Sequence, residues 1–406
     1  MENHPAELLT VNAGSSSIKA AVFAATAGEP RRLARGEVTG IRKLASLVTA
    51  DDGGHGTTVP LPAVRNHDDA MAALLDWVRG AVGGRELAAV GHRIVHGGDR
   101  YTGPVVATPA VLDDLDRLAV LAPMHQPVAL NAVRTLSRLL PDVPQVLSFD
   151  TAFHATLPAV ERSFALPQEL AADGIRRYGF HGLSYEAVAR RLPEHLGEAA
   201  GGRVVVAHLG SGASLCALRA GRSVATTMGF TPLDGLPMGT RCGALDPGVV
   251  LYLLGERAMS VAEVEDLLYH RSGLFGVSGV SGRMEFLLRA TTPAADAAVD
   301  LFVHRTAAGI AAMGSALGGL DALVFTAGIG EGSPEIRSRI ATRCRWLGVE
   351  LDAAANEAGG PRVTALDSPV SAWVIPTDEE AVIAGQALAV RPGSGPRTPG
   401  ESLRRL

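Results

Sequence analysis

The sequence predicts an α/β protein of two domains that share one topology. Three observations predict it. The chain has 406 residues, enough for two separate cores. Apolar strand-like runs alternate with stretches of helical periodicity along most of its length. A strand–turn–strand unit near the N-terminus also returns in the middle: Val11-Asn-Ala-Gly-Ser-Ser-Ser17 lies over Ala207-His-Leu-Gly-Ser-Gly-Ala213, with apolar runs flanking both turns. A repeat of that kind points to internal duplication.

The first unit organises the rest. Leu8 to Ala13 and Ile18 to Phe23 read as strands, and Gly14, Ser15, Ser16 and Ser17 between them are turn formers. Such a turn aims backbone N–H groups and hydroxyls into a concavity that suits phosphate oxygens. Asn12 would add an amide oxygen on the incoming strand and Lys19 a point charge on the outgoing one. No Gly-Lys-Ser/Thr opens a helix, so this is not a P-loop. An ordinary surface hairpin fits the same residues.

The remaining elements follow in order. Residues 26–60 read as irregular strands and loops, and 68–82 as a helix with Met71, Leu74, Leu75 and Val78 on one face. Leu87 to Gly98 is an apolar strand that carries Arg93 into a Gly pair; the arginine serves an anion or a structural salt bridge. A Pro-flanked turn at 122–127 precedes a helix over about 127–140. The strand Gln145–Phe149 ends at Asp150, where open α/β sheets place functional carboxylates and where a plain N-cap is equally plausible. His181 sits in a turn between Gly179 and Gly182, and Ser184 reads as the N-cap of the next helix. Residues 226–248 form a long Gly- and Pro-rich loop with Arg241 at its centre, and long loops inside compact domains tend to be functional. A buried helix spans 295–318. A strand then meets a Gly-x-Gly turn at Gly328–Gly330, with Ser333 and Pro334 as cap and first residue of another helix. A last strand covers 372–376, a helix runs to about Val390, and residues 391–406 have a disordered composition.

Composition narrows the function. A net charge of -5 and 4% aromatics give no footprint for nucleic acid or an anionic membrane. No apolar run reaches the roughly 18 residues of a spanning helix, and the N-terminus lacks the basic start of a signal peptide. Cys216, Cys242 and Cys344 are far apart, which fits a reducing cytoplasm and excludes a zinc-site spacing.

Nine segments, in order, resemble the acetate kinases: 11–19, 91–98, 149–154, 177–182, 208–214, 228–235, 238–243, 325–331 and 375–380. The resemblance runs from Leu8 to about Leu388 and implies an actin-like, sugar-kinase-like fold, with two α/β domains around a nucleotide cleft. It implies a first domain of residues 1–150 plus about 385–406, a second of 151–384, and a homodimer. It also implies Mg²⁺-dependent transfer of phosphoryl between ATP and acetate. By the same resemblance Arg93 binds the substrate carboxylate; Asp150, His181 and Arg241 are catalytic; and Asn12 and Glu379 hold Mg²⁺. Ser15, Ser17, Lys19, His208, Leu209, Gly210, Ser211, Gly212, Arg283, Met284, Glu285, Gly328, Ile329, Gly330, Glu331 and Gly332 bind the nucleotide. Val95, Met124, Phe180 and Pro232, each a neighbour of one of these polar residues, are expected to wall a small acyl pocket, and His125 to add a hydrogen bond there.

The chemistry is consistent with these residue types. Acetate is already ionised at pH 7, so it needs no general base; the difficulty is bringing one anion up to another, which arginines and histidine donors relieve. Asp150 is accordingly better suited to organising Arg93 or the metal's waters than to taking a proton. The departures lie on the nucleotide side: Ser211 and Gly332 stand where the family usually has Asn, and Arg283-Met-Glu285 inverts the charges of a family Asp-Met-Arg or Asp-Phe-Arg. His181-Gly-Leu-Ser-Tyr185 replaces His-Gly-Thr-Ser-His. The expectation is retained catalysis with relaxed or altered nucleotide discrimination. A kinase for propionate or butyrate and a nucleotide sensor without turnover are the competing readings.

Overall fold

The computed structural model describes residues 7–391 apart from 15, 27, 28, 42 and 124. Ser15, Met124 and residues 392–406 of the expected tail lie outside the described residues. The chain divides into two compact units, Met1–Ala152 with Asp378–Leu406, and Phe153–Thr377.

The first unit is built on an eight-stranded sheet. Its strands are β1 (Glu7–Ala13), β2 (Ser17–Ala24), β3 (Arg31–Thr39), β4 (Ser46–Asp51), β5 (Gly56–Pro60), β6 (Leu87–Ile94), β7 (Val105–Val106) and β8 (Gln145–Phe149). Their order is β5-β4-β3-β2-β1-β6-β8-β7. β1 to β5 form an antiparallel meander, whereas β1, β6 and β8 run parallel. The stretch 26–60, expected to be irregular, is therefore a regular three-strand extension; β5 is wholly exposed, which blurs its alternation. Leu9, Val11 and Ile18 pack under the helix His67–Val82, and Leu147 and Phe149 under the helix Gln126–Leu139. The opposite face, with Leu8, Phe23 and Val146, is covered by Ala384 and Ala387 of the helix Glu379–Val390. Burial on both faces is why β1, β6 and β8 carry runs of apolar residues rather than a strict alternation.

The second unit repeats the plan. Its strands β9 (Arg203–Leu209), β10 (Ala213–Arg219), β11 (Arg222–Thr226), β12 (Ala322–Thr326) and β13 (Ser371–Val374) lie in the order β11-β10-β9-β12-β13. β11, β10 and β9 are antiparallel, and β9, β12 and β13 parallel. This is the connectivity of β3-β2-β1-β6-β8, so the duplication suspected from two short turns extends over five strands. Tyr185, Val188 and Leu192 of the helix Gly182–Leu196 cover one face. The helix Pro293–Leu317 covers the other, with Gly309 against Leu215. Thr292 caps that helix through its side chain and Gly318 ends it in the left-handed region.

The chain re-enters the first unit at Asp378, earlier than about 385, because the whole C-terminal helix lies on the first sheet. Asp378 caps it by accepting from Ala381 N–H and also pairs with Arg32 of β3. Gly91 on β6 lets the helix sit close: a Cβ there would lie 2.5 Å from Ile383 Cγ2 and 3.2 Å from the Ile383 carbonyl. Gly91→Ala is expected to lower unfolding stability by about 1–3 kcal/mol through overpacking. A urea midpoint equal to that of the unchanged protein would contradict this account of the helix's seat.

Candidate functional site

In the first unit the strand ends at β1, β6 and β8 carry Asn12, Arg93 and Asp150, as open parallel sheets favour. Arg93 Nε donates to both oxygens of Asp150 at 3.1 Å, and Nη2 donates to Oδ2 at 2.8 Å. Both Asp150 oxygens accept from the guanidinium, and among the described residues no backbone N–H donates to them, so the aspartate does not act as a helix cap. Glu379, the first residue of the C-terminal helix, brings Oε2 to 3.8 Å from Arg93 Nε. Burial opposes the Arg93 charge, but Asp150 and Glu379 outweigh it and hold the guanidinium protonated well above its ordinary value. Burial pushes the Asp150 carboxyl upward, while Arg93 and, more weakly, His125 favour its anion. A guanidinium has five N–H groups. Among the described residues only Nε–H and one Nη2–H of Arg93 are engaged, which leaves three for another oxygen acceptor. Asn12 and Lys19 are register partners across β1 and β2. Val95 and Ser17 are half-buried, and His125 and Lys19 exposed.

In the second unit the corresponding turn is Gly210-Ser211-Gly212, closed by Gly210 N–H donating to the Gly212 carbonyl at 3.0 Å. Arg241, from the long loop after β11, donates from Nη1 to the Pro232 carbonyl at 2.7 Å. A Cβ on Gly212 would lie 2.8 Å from Arg241 Nη2 and 3.1 Å from His181 Nε2. Two side-chain nitrogens thus converge over a residue that has no side chain. His181 adopts φ 60° and ψ 22°, a left-handed conformation that costs a non-glycine residue about 1–3 kcal/mol. Its surroundings hold it there. His154 Nε2 donates to the Phe180 carbonyl at 2.9 Å, and Tyr185 N–H donates to the His181 carbonyl at 3.0 Å. His181 Nδ1 lies 2.9 Å from Ser214 Oγ, and the ring stacks on His208 at 4.2 Å. Ser184 is not the N-cap expected from sequence: His181 occupies that position, and the Ser184 hydroxyl meets His208 Nδ1 at 2.8 Å instead. Phe180 and Pro232 are buried.

The same unit contains a cavity of about 660 Å³, within the range of small-molecule sites. Of the residues named from sequence, Gly210, Ser211, Arg283, Met284, Glu285, Gly328, Ile329 and Gly332 line it. Arg283 and Glu285 form an exposed ion pair at 2.5 Å, with the Arg283 guanidinium over the Phe286 ring. The Gly-x-Gly stretch is not a turn but a short helix, Ala327–Gly332, entered through Ala327 at φ 64°. Glu331 folds back to accept from Ala327 N–H at 2.7 Å and Thr377 N–H at 3.2 Å, so its carboxylate anchors that helix rather than lining the cavity. Gly330 packs against Phe325, and the Leu209 side chain is in the core. His208 and Gly212 belong to the donor cluster. Sequence reasoning missed Gly282, Leu288, Arg289 and Glu335 as lining residues; the available signal was their position within about a helical turn of the motifs. Ser333 is both the cap expected from sequence and a lining residue.

Two units of one connectivity, each with a tight turn at the end of its central strand, define the actin-like ATPase class of kinases. The sequence matches the Acetokinase family over residues 7–385. The acetate kinase of Rhodopseudomonas palustris is 53% identical over 385 residues, covering 93% of this chain and 96% of the relative. That of Rhizobium meliloti is 49% identical, covering 94% and 98%. Among solved structures, a propionate kinase from Francisella tularensis superimposes with a TM-score of 0.89 at 34% identity, covering 95% of this chain and 100% of that one. Porphyromonas gingivalis acetate kinase gives 0.84 at 34% identity, covering 95% and 99%. The chain belongs to the acetate kinase family.

Three buried histidines give the protein a measurable acid sensitivity. Burial pushes His92, His96 and His154 each down to about 4 from 6.5. Between these values the unfolded chain binds more protons than the folded one, so stability is fullest above pH 6.5 and falls as pH drops toward 4. The loss is about 3 kcal/mol per ring at pH 4. Urea midpoints measured from pH 7 to pH 4.5 should decline steadily; a flat series would show that these rings are not held neutral.

Proposed function

We propose that the protein transfers the γ-phosphoryl group of ATP reversibly to acetate, giving acetyl phosphate and ADP. The observation that carries this reading is the convergence of Arg241 Nη2 and His181 Nε2 over Gly212, in a member of this family. An acetate oxygen attacks the γ-phosphorus and forms the new P–O bond. The bond from that phosphorus to the β–γ bridging oxygen breaks, and its electron pair leaves with ADP. No proton has to move. Arg93 grips the substrate carboxylate with the N–H groups that Asp150 leaves available. Asp150 holds Arg93 charged and oriented. Arg241 and His181 meet the negative charge on the equatorial phosphoryl oxygens. His208 braces the His181 ring, and His125 offers a further donor toward the acid.

ATP is assigned to the cavity lined by Gly210, Arg283 and Gly328, and the family resemblance assigns Lys19 and Ser17 to phosphate binding. The oxygen donors Asn12 and Glu379 suit Mg²⁺, a hard cation that takes one or two carboxylates and fills its shell with water and phosphate. Bound Mg²⁺ would neutralise charge on the β- and γ-phosphate oxygens. Val95, Phe180 and Pro232 are assigned to the acyl group. Propionate is a second acceptor in this reading, since one methylene changes such affinities by only about 1–3 kcal/mol and the Francisella neighbour is a propionate kinase. No helix among the described residues is long and apolar enough to cross a membrane. A reducing compartment suits the free Cys216, Cys242 and Cys344.

The assembly is assigned as a homodimer through the helix Pro247–Gly255. Its sequence is apolar on all sides, yet none of its nine residues is buried; Leu251 is 70% and Tyr252 53% exposed. A helix of that composition is normally covered, and a second copy of the chain is the occupant that the family resemblance implies. Sedimentation velocity should give a dimer that Leu251→Asp converts to monomer; a monomeric parent protein would overturn the assignment.

Acyl phosphate trapped with hydroxylamine tests the activity. Acetate with MgATP should give product. Arg93→Ala should raise the KM for acetate at least about tenfold, as loss of charge-assisted bonds does, and Arg241→Ala should lower kcat about 10²–10³-fold. Absence of product with acetate, propionate and butyrate alike would leave a nucleotide-binding protein without turnover.

A further inference from the structure

Behind His181 lies a buried chain of hydroxyls. Tyr185 and Ser214 are both wholly inaccessible. The Tyr185 hydroxyl is 2.5 Å from Ser214 Oγ, and Ser214 Oγ is 2.9 Å from His181 Nδ1. Among the described residues neither hydroxyl has another hydrogen-bond partner. The direction of donation follows by elimination. Burial raises the Tyr185 phenol well above 10.0, so it keeps its proton, and a buried O–H that donates to nothing is costly. Ser214 Oγ is its only acceptor. The single hydrogen of Ser214 is then directed to His181 Nδ1, which can receive it only as a bare ring nitrogen. The reverse arrangement, with Nδ1–H donating to Ser214 and Ser214 donating to the phenol, strands the Tyr185 hydrogen in the core, and a serine that accepts from both the phenol and Nδ1–H strands its own.

We propose that Tyr185 and Ser214 are positioning residues that fix the neutral His181 ring as the Nε2–H tautomer. Nε2 is the nitrogen that lies beside Arg241 Nη2 over Gly212, so the relay decides that this position presents a donor rather than a lone pair. A lone pair there would repel a phosphoryl oxygen. The catalytic consequence rests on the reading of His181 given above; the tautomer itself does not. His208, stacked on the ring, and the Tyr185 backbone, bonded to the His181 carbonyl, fix where the ring sits. The relay fixes which of its nitrogens carries hydrogen.

Two-bond ¹H–¹⁵N correlation spectra of the full chain, labelled with ¹⁵N-histidine and recorded where the ring is neutral, read the tautomer directly. His181→Gln identifies the signal. The unchanged protein should show a protonated Nε2 and a bare Nδ1. Tyr185→Phe, which removes only the hydroxyl, should give a mixture of tautomers and lower kcat about tenfold while leaving KM for acetate and ATP unmoved. Ser214→Thr keeps the hydroxyl and should preserve both spectrum and kcat; Ser214→Ala should behave as Tyr185→Phe does. A protonated Nδ1 in the unchanged protein, or a Tyr185→Phe spectrum identical to it, overturns the relay whatever the activity. The expected spectra from a protein that makes no acyl phosphate would uphold the relay and overturn the functional reading instead.

Discussion

Arg93 is a cation at the end of a buried parallel strand, and much of the first unit serves to keep that charge there. An isolated guanidinium in such a place would be strongly disfavoured by lost hydration. Asp150 supplies the counter-charge from the neighbouring strand end, and Glu379 a second from the start of the C-terminal helix. Neither carboxylate can be in place unless β6, β8 and that helix are in register. The bare Cα of Gly91 sets the helix against β6 two residues before Arg93. Packing and electrostatics are therefore one constraint. The same pairing leaves part of the guanidinium uncommitted, which is what a structural ion pair needs in order to serve also as the carboxylate site proposed for it.

The second unit holds its nitrogen groups with neutral partners as well. Arg241 is anchored by a backbone carbonyl, and His181 is held by a serine hydroxyl and two backbone contacts. In the role proposed for them, meeting a phosphoryl group, these donors cannot be neutralised by nearby carboxylates without losing their purpose. Backbone carbonyls and hydroxyls orient them at little cost in charge. The left-handed backbone at His181 is the local strain this arrangement carries, offset by the helix that starts at the next residue.

Much of this was legible in sequence because it depends on short-range chemistry. Gly14 and Gly210 mark the two turns, Arg93 and Asp150 sit where strand ends bring them together, and the helix 293–317 shows its period plainly. What escaped was decided by tertiary context. Ser184 looks like a cap, but the turn before it puts His181 at the cap position and turns the serine toward His208. Glu331 sits within a phosphate-like motif, yet its carboxylate is spent on the N–H of Ala327. The strands between 31 and 60 lack clear alternation because their outer edge is solvated on both sides.

The duplication also explains why two equal scaffolds carry unequal chemistry. Asn12 and His208 occupy equivalent places at the ends of β1 and β9, and Lys19 and Ser214 are their register partners on β2 and β10. In the first unit that partner position is exposed and bears a flexible cation. In the second it is buried and bears a hydroxyl that touches His181. Once buried, the position cannot hold an unpaired charge; it can only orient something that reaches a ligand. The shared topology supplies two strand ends of the same geometry, and in the function proposed the depth of each one selects whether its side chain is offered to a phosphate itself or steers a neighbour that is.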